Sequence, residues 1–172
     1  KKEDIKITAD YREKNSLVIS KLLEAGIEVE MKELKVADYL ANGVAIERKT
    51  ISDFIASMLN GRLQKQLEEI QQYDNKLLLI EGIEEQELYS DKMDNLRFPS
   101  EAIREIAPLY QEGKCARENR RLSSNSIRGF LLSILLKYKV PIIFTKNYED
   151  TAKFFYILGK KQTNEISLKV KK

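Results

Sequence analysis

Asp38, Glu47 and Lys49 are the residues whose types and spacing could do chemistry in this chain. Glu47 and Lys49 stand two apart in the run Val44-Ala45-Ile46-Glu47-Arg48-Lys49-Thr50. On a β-strand their side chains would therefore share one face and present a carboxylate beside an ammonium. Asp38 precedes Tyr39-Leu40, just before an Asn42-Gly43 turn signal. If that turn folds Asp38 back, two carboxylates converge beside one lysine. Two carboxylates without histidine or thiolate suit a hard cation such as Mg2+ or Mn2+. The ion would neutralise phosphate charge, lower the pKa of a bound water and stabilise an in-line attack. The lysine would position that water or steady the transition-state oxygens. The same spacing also describes an ordinary charged hairpin face with a cross-strand ion pair, a common surface arrangement.

Composition narrows the choices. The chain has 172 residues, near the usual size of one domain, with 42% hydrophobic and 33% charged residues. It contains no histidine, which excludes His-based acid/base work, Ser-His-Asp triads and His-ligated metals together. Its one cysteine, Cys115, leaves no intramolecular disulfide and no Cys-rich zinc site. No apolar run approaches the ~18 residues of a membrane span. Lys1-Lys2-Glu3-Asp4 is not followed by a signal-peptide core. An intracellular protein with no membrane partner is expected. The net charge is only +3, from 30 Lys/Arg against 27 Asp/Glu, so the distribution of charge matters more than its sum.

The elements that must position these residues follow from periodicity. Residues 5–10 alternate as a strand, 15–25 form a short amphipathic helix stopped at Gly26, and 27–34 alternate again. Residues 39–40 and 44–48 read as a strand pair around Asn42-Gly43. Thr50-Ile51-Ser52-Asp53 has a capping-box pattern, with Asp in place of Glu, and opens a helix to Leu59. A second helix runs over 63–73, and an apolar strand over 77–80 ends at Glu81-Gly82. A helix over 124–138, a strand over 140–144 and a helix over 149–160 follow. Alternating strands and helices predict an α/β sandwich around a mixed sheet. Residues 84–123 are polar and irregular, with a short helix at 100–107, and the tail after Lys161 is polar and Lys-rich.

The motifs resemble those of a known family. Asp38, Glu47 and Lys49 fit the Asp-x8-Glu-x-Lys spacing of PD-(D/E)xK nucleases, which alone is weakly specific. The longer run Ile46-Glu47-Arg48-Lys49 followed by Asp53 resembles the signature of XPF/Hef structure-specific endonucleases. Asp10-Tyr11-Arg12-Glu13, Ala37-Asp38-Tyr39, Gly61-Arg62-Leu63 with Gln66, Ile80-Glu81-Gly82, Ser126-Ile127-Arg128-Gly129 and Val140-Pro141-Ile142 resemble further family segments in the family's order. The match covers roughly residues 5–83 and 123–161. Ala37 replaces a family glycine. The tandem helix-hairpin-helix domain that usually follows is not recognisable after Lys161.

The resemblance implies a three-layer restriction-endonuclease-like core, with a central mixed sheet flanked by helices, over residues 1–161. Residues 84–123 would form an irregular basic insertion, and 162–172 a linker or tail. It implies a Mg2+- or Mn2+-dependent DNA endonuclease cutting 3′-flap or fork-like junctions in repair or replication-fork processing. Asp38 and Glu47 would hold the metal, with Asp10 as a further carboxylate, and Lys49 would orient the water. Strand alternation puts Arg48 on the opposite face from Glu47, so a structural ion pair and an active-site role are both open for it. Arg12 stands at the active edge, and Glu13 could pair with it or with Arg48. Asp53 is divided between helix capping and active-site support, and Gln66 between solvent and the site, where it would contact DNA. Arg117, Arg120 and Arg121 are candidates for phosphate contact. The resemblance also implies homodimerisation through the C-terminal helices, against the plain alternative of burial on the sheet. The competing reading is a non-catalytic DNA-binding or dimerisation scaffold; retention of both acids and the lysine weighs against it. A junction resolvase is a third.

Overall fold

A computed structural model of the chain describes residues 5–82 and 124–160. The irregular stretch expected over 84–123, its short helix and the tail lie outside the described residues. Within them the chain runs β1 (Lys6–Asp10), a 3-10 turn (Tyr11–Glu13), α1 (Leu17–Glu24), β2 (Glu28–Lys32), β3 (Tyr39–Ala41) and β4 (Val44–Thr50). It continues with α2 (Ile51–Leu59), α3 (Arg62–Glu69), a 3-10 turn (Ile70–Gln72) and β5 (Lys76–Glu81). The last three elements are α4 (Ser124–Leu136), β6 (Ile142–Thr145) and α5 (Tyr148–Lys160). The expected elements over the described residues are all present, with ends shifted by a few residues.

One mixed sheet carries the fold, in the order β2-β1-β3-β4-β5-β6. β1 pairs parallel with β2 and antiparallel with β3, β3 pairs antiparallel with β4, and β5 pairs parallel with both β4 and β6. The β3–β4 hairpin turns through Asn42 at φ 48° and Gly43 at φ 75°, the paired positive values of a two-residue type I′ turn. Its register sets Tyr39 opposite Ile46.

The pleat sorts side chains into two apolar layers. Ile7, Tyr39, Val44, Ile46, Leu77 and Leu79 pack under α1 and α5, where Tyr39 stacks obliquely on Phe155 at 4.8 Å between ring centroids. Ala45, Leu78 and Ile80 pack under α2, α3 and α4 through Phe54, Leu63, Leu67, Ile127 and Ile134. The result is the three-layer α/β sandwich with a mixed sheet.

The junction between β4 and α2 has no loop: Thr50 ends the strand and caps the helix, its Oγ1 accepting from the Asp53 amide at 3.2 Å. This directly follows the lysine of interest. Thr50→Ala is expected to cost about 1 kcal/mol and to lower the Tm by about 2–4 °C, read by thermal denaturation against the parent.

Candidate active site

β4 carries three consecutive ionisable residues before its last, Thr50, and the pleat divides them between the two layers. Glu47 and Lys49 face the side of α2 and α3. Lys49 Nζ lies 3.2 Å from Glu47 Oε1, and the residues are only 5% and 8% exposed. An ammonium this deeply enclosed is held by its carboxylate partner rather than by water.

Asp38 does fold back. Its N–H donates to Ile46 O at 2.9 Å and its carbonyl accepts from Asp10 N at 2.8 Å, which stitches it between β1 and β4. Its Oδ2 accepts from the Arg48 amide at 2.9 Å. Burial pushes the Asp38 carboxyl up to about 7, with the charge of Glu47 adding to the rise. Burial likewise raises Glu47, against the pull of Lys49. Two carboxylates, Glu47 buried and Asp38 partly so, both reluctant to ionise, are an arrangement a divalent cation relieves.

The turn that delivers Asp38 uses Ala37 at φ 70°, in the left-handed region. The left-handed turn is thus made by alanine, at some strain. Placing alanine there costs about 1–2 kcal/mol. It is offset by the lower freedom of the unfolded chain, about 0.4–1 kcal/mol, and by a buried methyl worth about 0.8 kcal/mol. The balance is near zero, which accounts for alanine at this position.

Arg48 projects to the α1/α5 side. Its guanidinium meets Glu81 Oε2 at 2.5 Å and Oε1 at 3.2 Å, and reaches Glu13 Oε2 at 3.4 Å. Glu13 in turn accepts from the Tyr39 hydroxyl at 2.6 Å, and Glu81 accepts from Thr151 Oγ1 at 2.7 Å. Thr151 also meets Thr145 at 2.7 Å. Burial disfavours the Arg48 charge, but the Glu81 carboxylate outweighs it and holds the group protonated. Of the two roles open for Arg48 in sequence, this geometry is that of a structural ion pair. Glu81 stood in the quoted Ile80-Glu81-Gly82 segment without a role, and Thr151 in none; a charged residue on an apolar strand face does demand an acid at a neighbouring strand end.

Asp10 does not join a three-carboxylate cluster. Its Oδ1 accepts from the Arg12 amide at 2.9 Å and from Arg12 Nε at 2.5 Å, and its Oδ2 accepts from Leu34 N at 2.7 Å. Burial raises its pKa, but these bonds outweigh burial and hold it below the usual carboxylate range. Among the described residues no group of three or more acids could hold a metal. The Arg12 side chain is exposed, and its positive charge is felt by Asp38 and Glu47. Asp53 has its amide in the α2 cap and is itself exposed. Gln66 of α3 does reach the site: its Nε2 donates to Glu47 Oε1, while its own Oε1 is buried without a donor among the described residues. Arg117, Arg120 and Arg121 lie outside the described residues.

With this geometry in place, comparison with known proteins is decisive for the family. The sequence profile of the ERCC4 domain matches residues 9–158. The chain belongs to the ERCC4-domain family. Among relatives of this ERCC4 domain, a Methanocaldococcus jannaschii protein named for ATP-dependent RNA helicase activity is 35% identical over 162 residues, 94% of this chain and 16% of its own length. The 3′-flap repair endonuclease Xpf of Saccharolobus solfataricus is 29% identical over 172 residues, 95% of this chain and 61% of its own. The chain thus spans less than two thirds of either relative. In three dimensions the ERCC4 domain superposes on XPF from Aeropyrum pernix with a TM-score of 0.66 at 24% identity, covering 94% of this chain and 66% of that one. The same protein in complex with DNA gives 0.65 at 24% identity, over 96% and 68%. The fold is therefore that of the XPF nuclease domain, a restriction-endonuclease-like α/β core.

Proposed function

We propose that this chain is the nuclease domain of a structure-specific DNA endonuclease that hydrolyses phosphodiesters at duplex/single-strand junctions, with 3′-flap and fork-like DNA as substrates. The observation that carries the reading is the enclosed pair Asp38 and Glu47 with Lys49 bonded to one of them. The name of the Saccharolobus relative and the DNA complex of the Aeropyrum protein support the substrate class.

The donor set fits Mg2+ or Mn2+: two hard carboxylate oxygens, in a chain without histidine. Asp38 and Glu47 would hold the ion, with the Arg48 backbone carbonyl as a further oxygen. Asp10 instead anchors Arg12 and the chain at Leu34. When bound, the ion supplies charge neutralisation at the phosphate and a more acidic water. Lys49 holds Glu47 and directs its remaining N–H groups at the attacking water or a non-bridging phosphate oxygen. Arg12, exposed beside the pair, steadies the phosphate. Arg117, Arg120 and Arg121 extend the contact to the duplex. The setting is repair or replication-fork processing inside the cell. No helix among the described residues is long and apolar enough to cross a membrane.

The test is cleavage of labelled flap, fork, duplex and single-stranded DNA, with Mg2+ or EDTA, beside Lys49→Ala. Mg2+-dependent cutting of junctions that the substitution abolishes is expected. Cutting that survives EDTA or Lys49→Ala would sink the proposed site. Junction binding without any cutting would favour the scaffold reading.

α4 and α5 present Leu132, Leu135, Leu136, Phe154 and Ile157 to solvent, although Ile127, Leu131 and Ile134 are already buried inward. This surplus supports homodimerisation through the C-terminal helices. Sedimentation at micromolar concentration is expected to show a dimer, and Leu132→Glu with Leu136→Glu to leave a folded monomer. A monomeric parent would refute it.

A further inference from the structure

Gln66 is tied to the site in one direction and open in the other. α3 buries Leu63 and Leu67 against the sheet, and the turn between them aims Gln66 at Glu47. The amide Nε2 donates to Glu47 Oε1, the oxygen that also receives Lys49 Nζ at 3.2 Å. The amide cannot be turned over, because its oxygen would then face a carboxylate oxygen, acceptor against acceptor. Its Oε1 is therefore fixed, buried, and without a donor among the described residues. A buried acceptor in that condition is rare in native proteins and calls for a partner. Lys49 gives an N–H to Glu47 and Arg12 gives its Nε–H to Asp10, and neither is bonded to this oxygen. A water molecule is small enough to serve, and the shared Glu47 oxygen brings it beside the ammonium.

We propose that Gln66 orients the attacking water, a step beyond phosphate contact that rests on the nuclease reading above. Lys49 is a pure donor and takes up a lone pair of that water. Glu47 and Asp38 are reserved for the cation. One hydrogen of the water goes to Gln66 Oε1, which leaves a lone pair aimed at phosphorus. A neutral amide is too weak a base to take the proton, so its part is orientation alone. The water oxygen bonds to phosphorus as the bond to the departing ester oxygen breaks. The released proton passes to a non-bridging phosphate oxygen, and the departing oxygen is protonated from solvent.

Two measurements decide it. A high-resolution crystal structure of the metal-free parent is expected to show an ordered water within about 3.2 Å of Gln66 Oε1. Single-turnover cleavage of a labelled 3′-flap with Mg2+ is expected to fall about 10–100-fold in Gln66→Met and in Gln66→Lys, with flap affinity and Tm near those of the parent. Gln66→Lys keeps a donor for Glu47 and deletes the acceptor, so full activity in that variant overturns the proposal. So does weakened binding at an unchanged cleavage rate, which would mark a phosphate contact. A dry Oε1 in an active parent overturns the proposal alone. A parent with the water that cuts no DNA overturns the nuclease reading, and the attacking role with it.

Discussion

Asp38→Asn is expected to abolish cleavage, by about 10³-fold or more given that loss of transition-state charge stabilisation is commonly this costly, and yet to leave the metal-free domain at least as stable as the parent at pH 8. The two outcomes share one cause. Burial and the charge of Glu47 push the Asp38 carboxyl up to about 7, against an ordinary 3.8. A folded pKa above the unfolded one means that the folded state prefers the proton. The stability this contributes is complete below about pH 4 and is lost as pH rises through 7. The interval between 3.8 and 7 corresponds to an upper limit of about 4 kcal/mol. The parent in EDTA should therefore melt lower at pH 8 than at pH 5, and Mg2+ should restore much of the difference at pH 8. Asparagine is isosteric, uncharged, and still offers an oxygen to the Arg48 amide, so the variant should show a nearly flat profile and little response to Mg2+. Cleavage by the parent should rise with pH through the same range, as the Asp38 carboxyl gives up its proton. A parent whose melting in EDTA is independent of pH between 5 and 8 would contradict this account.

The second large effect belongs to Arg48. It lies between Glu81 and Glu13 beneath α1 and α5, and both acids carry further bonds from Thr151 and Tyr39. Removing the cation leaves two enclosed carboxylates without their counter-charge. Breaking a buried pair from one side costs about 3–5 kcal/mol, so Arg48→Met should lower the Tm by about 10 °C. Adding Glu81→Gln keeps an acceptor for Thr151 and removes one stranded charge, so the double variant should regain part of the loss. If Arg48→Met melts with the parent but cuts no DNA, Arg48 acts at the substrate and the structural assignment fails.

Much of this was legible in the residues. Alternation at 5–10 and 44–48 and the Asn42-Gly43 signal are local, and local patterns predicted the hairpin and the shared face of Glu47 and Lys49. The return of Asp38 was conditional on the turn, and the observed bonds to Ile46 and Asp10 supply what the pattern could not. Glu13 was among the partners open to Arg48, but Glu81 and the Thr151 that supports it were out of reach for a different reason. Glu81 and Thr151 are 33 and 103 positions away in sequence, and only the strand order β4-β5-β6 brings them near. For Asp10 the residue type alone invites a metal, whereas in the fold Arg12 and Leu34 bond both of its oxygens. Gln66 was undecided because a polar residue on an amphipathic helix faces solvent or site according to a rotation set by Leu63 and Leu67, which packing fixes.

The alternation along β4 makes the motif sensitive to parity. A single residue inserted or deleted between Val44 and Glu47 would exchange the two faces. Arg48 would then meet Gln66 and the acid partner at Asp38, while Glu47 and Lys49 would be driven among Phe155, Thr151 and Glu81. Every residue would survive, and both layers would lose their electrostatics at once. A change of two residues would shift the frame along the strand without turning it over. Length variation in this strand should therefore be tolerated, if at all, only in even steps, whereas the hairpin tip at Asn42-Gly43, where a loop can absorb an odd residue, is free of that rule.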